Sequence, residues 1–254
     1  MPAPDRPRCA VVVGATSGIG REIARSLARS GWRVGIAGRR ADRLRALQAE
    51  TPGIAALRVL DVQTDGAPDD LRALIEELGG MDLYFHASGI GFQNPRLDPT
   101  PELETVRTNA LGFTRMLDAA FAYFRERPAL AGRIAAISSI AGTRGLGAAP
   151  AYSATKAFQA NYLEALDQLA RMSGLAVRIT DIRPGFVATD LLADGGTYPL
   201  QMRVEPVARA ILRALRRGSP RITIDARYRV LTFLWKFLPR WIWVRMPIHS
   251  KPIG

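Results

Sequence analysis

A tyrosine and a lysine four residues apart are the side chains of this sequence best suited to moving a proton. Tyr152 and Lys156 stand in the stretch Ala-Tyr-Ser-Ala-Thr-Lys, so a helix there would place both on one face. A phenol has an ordinary pKa of about 10, and an ammonium close to it favours the phenolate. The pair therefore predicts a tyrosine with a lowered pKa that acts as a general acid or base.

A glycine-rich turn near the start of the chain could bind a phosphate. The segment Gly14-Ala-Thr-Ser-Gly18-Ile-Gly20 follows an apolar run from Cys9 to Val13, which predicts a buried strand, and precedes helical spacing from Arg21 onward. In such a unit, glycines let a pyrophosphate approach the free N–H groups at the start of the helix. The spacing is not the commoner Gly-x-Gly-x-x-Gly, so an ordinary glycine-rich βα turn is the alternative.

With both motifs in place, the sequence resembles the short-chain dehydrogenase/reductase family over roughly residues 8 to 226. The resemblance implies a nicotinamide dinucleotide at the glycine turn, with Asp61 and Val62 near the adenine and the segment from Pro184 to Thr189 near the nicotinamide carboxamide. The implied cofactor contacts outside the second strand are Gly14, Thr16, Ser17, Gly18, Ile19, Gly20, Asp61, Val62, Ala87, Gly89, Tyr152, Lys156, Pro184, Gly185, Val187 and Thr189.

Further family positions complete the implied catalytic group. Ser139, in Ile137-Ser-Ser-Ile-Ala-Gly142, has the family's separation from Tyr152, which favours Ser139 over Ser138 as the catalytic serine. Asn109 resembles the asparagine that holds a proton-relay water. The implied catalytic residues are therefore Asn109, Ser139, Tyr152 and Lys156.

One motif departs from the family pattern. The family has Asn-Asn-Ala-Gly after the fourth strand, whereas this chain has His86-Ala-Ser-Gly89, which changes the local cofactor contacts. His86 could act as an acid or base, but a strand-end histidine that hydrogen-bonds backbone groups is the favoured interpretation. The two isolated histidines, His86 and His249, and the single Cys9 show no metal-ligand spacing, so no metal is expected.

The end of the predicted second strand indicates which dinucleotide binds. NAD-binding proteins carry an acid there for the ribose 2′-hydroxyl, but this chain reads Ile36-Ala-Gly-Arg39-Arg40. A guanidinium matches a phosphate in charge and in its planar fork of donors. We therefore expect NADP(H), with Arg39 as the main ligand of the 2′-phosphate and Arg40 as a second one. Ordinary surface arginines are the alternative.

Alternating strand-like and helix-like segments predict an α/β fold. We expect one Rossmann-type domain, a doubly wound parallel sheet of about seven strands with helices on both faces. The predicted strands are Ala10–Val13, Arg33–Ala37, Ala56–Leu60, Leu83–His86, Arg133–Ser138, Ala176–Ile182 and Arg221–Ile224. The longest predicted helices run from about Glu102 to Arg125 and from about Tyr152 to Arg171. The family resemblance implies that these two helices pack against the same helices of another copy, in a homodimer or homotetramer.

The composition indicates the location of the protein in the cell and its class of partner. The 254 residues include one cysteine, no visible signal peptide and no run of about 18 apolar residues, which favours a cytoplasmic protein. A formal net charge of +12 raises nucleic acid as a partner. The charges are scattered, however, and no groove-binding motif is visible, so we expect no specific nucleic-acid binding.

Loops at the carboxyl ends of the strands are expected to form the substrate site. They cover residues 90–99, 140–151 and 186–202, and their apolar side chains are Phe92, Leu146, Phe186, Leu191, Leu192, Tyr198 and Met202. An apolar site suits a hydrophobic ketone, aldehyde or alcohol. Alternatively, these side chains only pack the loops against the domain.

Residues 227–254 form a tail of unusual composition after the predicted domain at residues 1–226. Three of the four tryptophans lie in this tail, basic residues recur, and no acid follows Asp225. A polar stripe on an otherwise apolar helix, which Pro239 breaks, would comprise Arg229, Thr232, Lys236 and Arg240. The tail predicts a cover for the substrate pocket, a subunit interface or a peripheral membrane contact.

Together these features predict an NADP(H)-dependent oxidoreductase that interconverts a hydrophobic carbonyl and its alcohol. Tyr152 would exchange a proton with the substrate oxygen, and Ser139 would stabilise the charge on that oxygen. Lys156 would lower the pKa of the tyrosine and, as the family implies, hold the nicotinamide ribose. A regulatory protein that binds NADP without turnover is the alternative.

Overall fold

Within residues 7–190 and 200–248, which the computed structural model describes, seven strands form one parallel sheet in the order β3-β2-β1-β4-β5-β6-β7. The strands are β1 (Cys9–Val13), β2 (Arg33–Gly38), β3 (Ile54–Val59), β4 (Leu83–His86), β5 (Arg133–Ile137), β6 (Arg178–Arg183) and β7 (Arg221–Thr223). Every predicted strand is present, and the largest differences at their ends are two residues, as at the start of β3. The strand order reverses between β1 and β4, which confirms the predicted doubly wound sheet.

Helices cover both faces of this sheet. They are α1 (Gly18–Arg29), α2 (Ala41–Glu50), α3 (Ala67–Leu78), α4 (Pro99–Val106), α5 (Phe113–Arg125), α6 (Pro150–Met172), α7 (Val204–Arg217), α8 (Ala226–Trp235) and α9 (Arg240–Trp243). Successive side chains along a strand point to opposite faces. Val11 and Val13 therefore pack with α3, α5 and α6, whereas Ala10 and Val12 pack with α1, α2 and α7.

The first of the two long predicted helices is interrupted. Instead of one helix from about Glu102 to Arg125, a π-helical turn at Arg107–Gly112 separates α4 from α5. A π turn breaks the regular ladder of backbone hydrogen bonds and often marks a functional position. In this turn the carbonyl oxygen of Asn109 accepts a hydrogen bond from the side chain of Gln159 on α6.

The C-terminal tail packs on the domain with one face of α8. The ring of Tyr228 is buried against Gly185, where an added Cβ would lie 2.2 Å from a ring carbon. Thr232, one turn further on, is also buried and donates to the carbonyl oxygen of Tyr228. The predicted polar stripe is therefore wrong, because Thr232 belongs to the packed face of α8 and not to its surface.

Arg144, in the loop after β5, holds the far end of the tail. Its guanidinium donates to the carbonyl oxygens of Trp235, at 2.7 Å, and Leu238, and lies 5.3 Å from the ring of Trp243. The indole N–H of Trp243 donates in turn to the carbonyl oxygen of Gly145 at 2.8 Å. The tail is thus attached to the loops that follow β5 and β6.

Candidate active site

The carboxyl end of β5 and the start of α6 bring three of the predicted catalytic residues together. Ser139 opens a short 3₁₀ turn at Ile140–Thr143, just beyond β5. Tyr152 and Lys156 lie on the first two turns of α6, which begins at Pro150, a residue suited to the first helical position. Ser139 lies near enough to Tyr152 for its hydroxyl to lower the pKa of the phenol, and Lys156 Nζ lies 5.7 Å from the centre of the Tyr152 ring.

Desolvation dominates the electrostatics of Tyr152. Part of the side chain remains accessible, yet burial raises the pKa of the phenol, and the nearby hydroxyl of Ser139 lowers it by less. The loop after β4 lies against the ring, since a Cβ added at Gly91 would approach it to 2.4 Å. The predicted lowering of the Tyr152 pKa is therefore wrong in this structure, because the loss of water outweighs the stabilisation of the phenolate.

Lys156 is buried, and its ammonium donates to two protein oxygens. These are the carbonyl oxygen of Ile137 at 3.0 Å and Oε1 of Gln159 at 2.9 Å. Burial lowers the pKa of Lys156 to about 7, and the carboxylate of Asp181 opposes part of that shift. A lysine with such a pKa can gain or lose a proton near neutral pH, which suits a site of proton transfer.

Gln159 links Lys156 to the π turn. The side chain is 1% exposed; its Oε1 accepts from Lys156, and its Nε2 donates to the carbonyl oxygen of Asn109 at 2.8 Å. Sequence reasoning missed this residue. Its position three residues after Lys156, on the same face of a helix, was the available signal.

Asn109 connects the π turn to the loop after β4. Its Oδ1 accepts from the backbone N–H of Ile90 at 2.9 Å, and its Nδ2 donates to the Ile90 carbonyl oxygen at 2.7 Å. The Nδ2 atom also lies 3.2 Å from Oγ1 of Thr155. These contacts are all with protein groups, so the role of Asn109 in holding a water stays a prediction.

The two adjacent serines, Ser138 and Ser139, have different partners, because only Ser138 bonds a buried acid. The hydroxyl of Ser138 donates to Asp181 on β6, and Asp181 forms an ion pair with Arg183 at 2.6 Å. Ser138 is thereby engaged with the sheet, while Ser139 lies beside Tyr152 and lowers the pKa of its phenol. This geometry matches the sequence-based preference for Ser139.

The glycine turn has the shape of a phosphate cradle. A Cβ at Gly14, where φ is +87°, would come within 2.5 Å of the Ser88 nitrogen, and one at Gly20 would come within 2.3 Å of the Gly14 oxygen. Glycine is therefore required at both positions. The residue before α1, Ser17, forms no side-chain cap, and the first turn from Gly18 holds no acid. The free N–H groups and the helix dipole thus fit a pyrophosphate.

The segment after β6 reaches the same turn. The side chain of Thr189 lies beside Gly18, at 2.9 Å from the place of a Cβ there. Pro184 and Val187 are buried. Gly185, which the family resemblance assigns to the cofactor, lies under the Tyr228 ring of the tail, so tail packing already explains the absence of a side chain there.

The other predicted cofactor contacts lie along the same edge of the sheet. Asp61 and Val62 follow β3, Ala87 and Gly89 follow β4, and Ile19 belongs to the first turn of α1. Because parallel strands end at one edge, these residues share it with the glycine turn.

Arg40, and not Arg39, bonds the glycine turn. The Arg40 guanidinium donates to Oγ1 of Thr16 at 2.7 Å and to Oγ of Ser17 at 2.8 Å. Arg39 is exposed and lies 3.9 Å from the carboxylate of Asp61. Of the two predicted phosphate ligands, only Arg40 therefore contacts the glycine turn, while Arg39 lies beside Asp61.

Asp190, just before the undescribed residues 191–199, bonds the same guanidinium. Its carboxylate accepts from Arg43 at 2.6 Å and from Arg40 at 3.1 Å, and these bonds hold the pKa of the carboxyl below its usual range.

Two cavities lie near the glycine turn. One, of about 240 Å³, is lined by Thr16, Ser17, Gly18, Arg21, Arg43, Ala46 and Asp190. A second cavity of about 450 Å³ lies along α1 and the start of α7. Neither cavity is lined by the catalytic group.

His86 is a buried, neutral side chain. Burial lowers its pKa to about 3, and the backbone of Ser88 offsets part of that shift. Its Nδ1 lies 2.9 Å from the hydroxyl of Tyr84, and its ring packs edge-on against Phe113. Nε2 has no partner of ordinary hydrogen-bond geometry among the described residues. His86 thus contacts the side chain of Tyr84 and the backbone of Ser88, and the sequence predicts only contacts of the second kind.

The predicted substrate loops are described in part. Phe92 is 43% exposed, while Leu146, Phe186 and Met202 are half-buried. Leu191, Leu192 and Tyr198 lie outside the described residues, as does His249. The Phe186 ring lies 6.4 Å from that of Tyr228, so this side chain packs the loop against the tail.

The described part of the chain offers neither a cluster of metal ligands nor a membrane-spanning helix. In residues 7–190 and 200–248, no three His, Cys, Asp or Glu side chains form a group that could hold a metal ion. No helix in those ranges is long and apolar enough to cross a bilayer.

Comparison with known proteins gives consistent matches. A family model described as short chain dehydrogenase matches residues 8–197, which include the glycine turn, Tyr152 and Lys156. A Myxococcus xanthus protein named as an uncharacterized oxidoreductase is 36% identical over 239 residues, 91% of this chain and 93% of its own length. The farnesol dehydrogenase of Aedes aegypti is 29% identical over 226 residues, 84% of this chain and 91% of its own.

A solved structure shares the fold and much of the length. The crystal structure of an actinorhodin polyketide ketoreductase variant with NADPH is 25% identical and has a TM-score of 0.76. The match covers 87% of this chain and 97% of the other.

Proposed function

Because this chain belongs to the short-chain dehydrogenase/reductase family, we propose that this oxidoreductase interconverts a hydrophobic ketone or aldehyde and its alcohol, with NADP(H) as cofactor. The observation that carries the proposal is the catalytic group itself. Ser139 lies near enough to Tyr152 to lower the pKa of the phenol, and the buried ammonium of Lys156 lies 5.7 Å from the tyrosine ring.

Tyr152 and Ser139 act on the substrate oxygen. In reduction, Tyr152 donates its phenolic proton to that oxygen, and in oxidation the phenolate takes the proton back. The raised pKa keeps the phenol protonated at neutral pH, which favours the acid role. Ser139 hydrogen-bonds the same oxygen and stabilises the charge that develops on it. The dinucleotide, when bound, supplies the hydride for reduction and accepts it for oxidation.

Lys156 sets the electrostatics behind Tyr152. Its ammonium favours any negative charge that develops on the phenol oxygen, and its pKa of about 7 leaves both protonation states accessible near neutral pH. Gln159 and Ile137 fix the ammonium by hydrogen bonds. We also assign Lys156 to the nicotinamide ribose.

The glycine turn and the strand ends would hold the cofactor. The amides at the start of α1 would bind the pyrophosphate, and Thr189 lies beside them. Asp61, Val62, Ala87 and Gly89 would line the adenosine side, while Pro184 and Val187 would line the nicotinamide side. Arg39 and Arg40 would bind the 2′-phosphate, since guanidinium groups suit phosphates.

The names of two relatives support a hydrophobic substrate. One is a dehydrogenase of farnesol and the other a ketoreductase of a polyketide. The exposed ring of Phe92 and the half-buried Leu146 lie on the loops after β4 and β5. An apolar lining with few charges favours an apolar ketone, aldehyde or alcohol.

The proposal is tested by following reduced-nicotinamide absorbance. NADPH or NADH is mixed with the enzyme and a panel of hydrophobic ketones and aldehydes, and Tyr152→Phe serves as the blank. We expect NADPH consumption by the wild type alone. Protein that binds NADPH, shown by fluorescence titration, but turns over no member of the panel would contradict the reductase proposal and favour a regulatory role.

NADP(H) preference is tested by changing the two arginines. We expect Arg39→Asp and Arg40→Ala each to raise the KM for NADPH by about 10- to 100-fold, because a charge-assisted hydrogen bond contributes about 1.5–3 kcal/mol. The KM for NADH should change little, which makes NADH the internal control. Unchanged preference in both variants would show that these arginines do not contact the 2′-phosphate.

Removing the carboxylate of Asp190 should have the opposite effect and strengthen the binding of NADPH. Its carboxylate pairs with Arg40 and Arg43, so an incoming phosphate must compete with it. We expect Asp190→Asn to lower the Kd for NADPH by about tenfold and to leave that for NADH unaltered, measured by fluorescence titration. If the Kd for NADH fell as much as the Kd for NADPH, the effect would not come from recognition of the 2′-phosphate.

We propose that a second copy covers an apolar surface on the long helices. The exposed apolar residues of α4, the π turn and α6 are Leu103, Val106, Leu111, Phe158, Leu169 and Met172. A homodimer or homotetramer would bury them. Light scattering should give at least twice the chain mass of 27.7 kDa. Leu111→Glu with Met172→Glu should reduce it to the mass of one chain, and a wild-type monomer would refute the interface.

We further propose a reducing, cytoplasmic location. Cys9, the one cysteine of the sequence, is buried in β1 and forms no disulfide. A chain with a single cysteine can form no internal disulfide, which is typical of proteins in reducing compartments. Imaging of a fluorescent fusion of the full chain tests this location.

A further inference from the structure

The outer face of the C-terminal tail carries a row of exposed apolar side chains. On α8, Val230, Phe233 and Leu234 are 56–57% exposed, and Phe237, just beyond the helix, is 69% exposed. Their spacing of three and four residues places them on one side. Trp241 on α9 is 62% exposed and adds a large aromatic ring. We call these residues, with the cations among them, the outer tail surface.

The charges on the outer tail surface have one sign. Its cations are Arg229, Lys236, Arg240 and Arg245, and residues 226–248 contain no acid. Arg227 pairs with Asp225 at 2.6 Å, but none of the other four forms an ion pair with a carboxylate of the described chain. The surface is therefore both apolar and strongly basic.

Contacts on the buried side of the tail hold it in an orientation that leaves the outer tail surface exposed. Tyr228 is buried against Gly185, and Arg144 and Trp243 bind the tail to the loop after β5. α8 cannot rotate to bury its apolar side without losing these contacts. An exposed apolar patch held in this way is typical of a binding surface.

Charge selects the partner. A second copy docked face to face would bring the same unpaired cations against each other, which is unfavourable without an acid between them. Anionic lipid headgroups supply the missing charge, and Trp, Phe, Arg and Lys are the residues that peripheral proteins place at a bilayer surface. We propose that the outer tail surface docks the protein on an anionic lipid bilayer.

Docking would bring the substrate loops to the membrane. Arg144, which holds the tail, follows the short turn that Ser139 opens. A hydrophobic carbonyl dissolved in the bilayer would then lie next to the loops after β5 and β6. This consequence rests on the proposed function, whereas docking itself is tested without any substrate.

The test is sedimentation of the full-length protein with lipid vesicles. We expect it to bind vesicles of equal parts phosphatidylglycerol and phosphatidylcholine, and to bind pure phosphatidylcholine at least about tenfold more weakly. Added salt should weaken binding, because it screens the charges. Lys236→Glu with Arg240→Glu, and separately Phe233→Ser with Phe237→Ser and Trp241→Ser, should each weaken binding to the anionic vesicles at least about tenfold.

A matched variant separates this surface from the general basic charge. Arg209→Glu with Arg213→Glu, at exposed positions of α7, changes the net charge by the same amount and should bind as the wild type does. Circular dichroism confirms that each variant is folded. Equal loss in this control, or a wild type that ignores anionic vesicles, would overturn the proposal. A tail variant whose mass falls in sedimentation velocity without lipid would overturn it too, in favour of a subunit interface.

Discussion

Replacing Tyr152 by phenylalanine is expected to lower kcat for carbonyl reduction by about 10²- to 10⁴-fold, the usual contribution of a general acid. The variant loses one hydroxyl and keeps the ring that packs against Gly91. Ser139 would still bond the substrate oxygen but would have no protonated phenol beside it. Fluorescence titration should show that NADPH binds almost as before, so the loss would lie in the chemical step.

A second tyrosine on the same helix is the control for this prediction. Tyr162 also lies on α6, and its hydroxyl bonds Asp118 rather than the catalytic group. Tyr162→Phe should keep turnover within about threefold of the wild type, as is usual for a surface change. If Tyr152→Phe also kept a rate near that of the wild type, the proton would come from another group, and the proposed mechanism would fail.

Replacing Gln159 by leucine is the second change with a large expected effect. Leucine removes the acceptor of the buried Lys156 ammonium and the donor to the Asn109 carbonyl oxygen. An unsatisfied group of this kind costs about 1–3 kcal/mol, and the loss at Lys156 alone should lower kcat by about 10- to 100-fold. The protonated lysine loses stabilisation, and its pKa should fall below the present value of about 7. In the pH profile of reduction, the fall of kcat at alkaline pH, which follows the loss of the Lys156 proton, should therefore begin at lower pH. We call this fall the alkaline limb.

Glutamate at the same position should have the opposite effect on the pH profile. A carboxylate beside the Lys156 ammonium raises the pKa of the lysine, so the alkaline limb should move to higher pH. A residue that only supports the fold would not move this limb in opposite directions in two variants. Identical pH profiles for Gln159→Leu, Gln159→Glu and the wild type would refute its role in positioning Lys156.

Local patterns were sufficient for most of the fold. β-branched and apolar runs predicted the strands because a parallel sheet is buried on both faces and needs such runs throughout. The break between α4 and α5 could not be read in this way. Its residues keep helical spacing, and the π turn is seen only with its partner Gln159, which lies 50 residues after Asn109.

The tail shows how an amphipathic pattern can mislead. The polar character of Thr232 groups it with the basic residues in the sequence pattern. In the structure its hydroxyl bonds a helix carbonyl, so no polar group is left unsatisfied on the buried side. The apolar residues instead face outward, because the ring of Tyr228 fills the contact with the domain. Spacing alone defines the two sides of a helix but does not say which side is covered.

By itself the sequence determined the α/β sheet and the glycine turn and predicted the catalytic tyrosine and lysine, because these depend on local spacing and residue type. The catalytic serine was predicted from the family resemblance. Only the tertiary structure decided how those groups are tuned. Desolvation raises the pKa of Tyr152 and lowers that of Lys156, and both effects arise from surrounding segments. The pairing of Arg40 with Asp190 joins residues 150 positions apart. Burial and pairing of this kind are properties of the packed chain, and no local pattern encodes them.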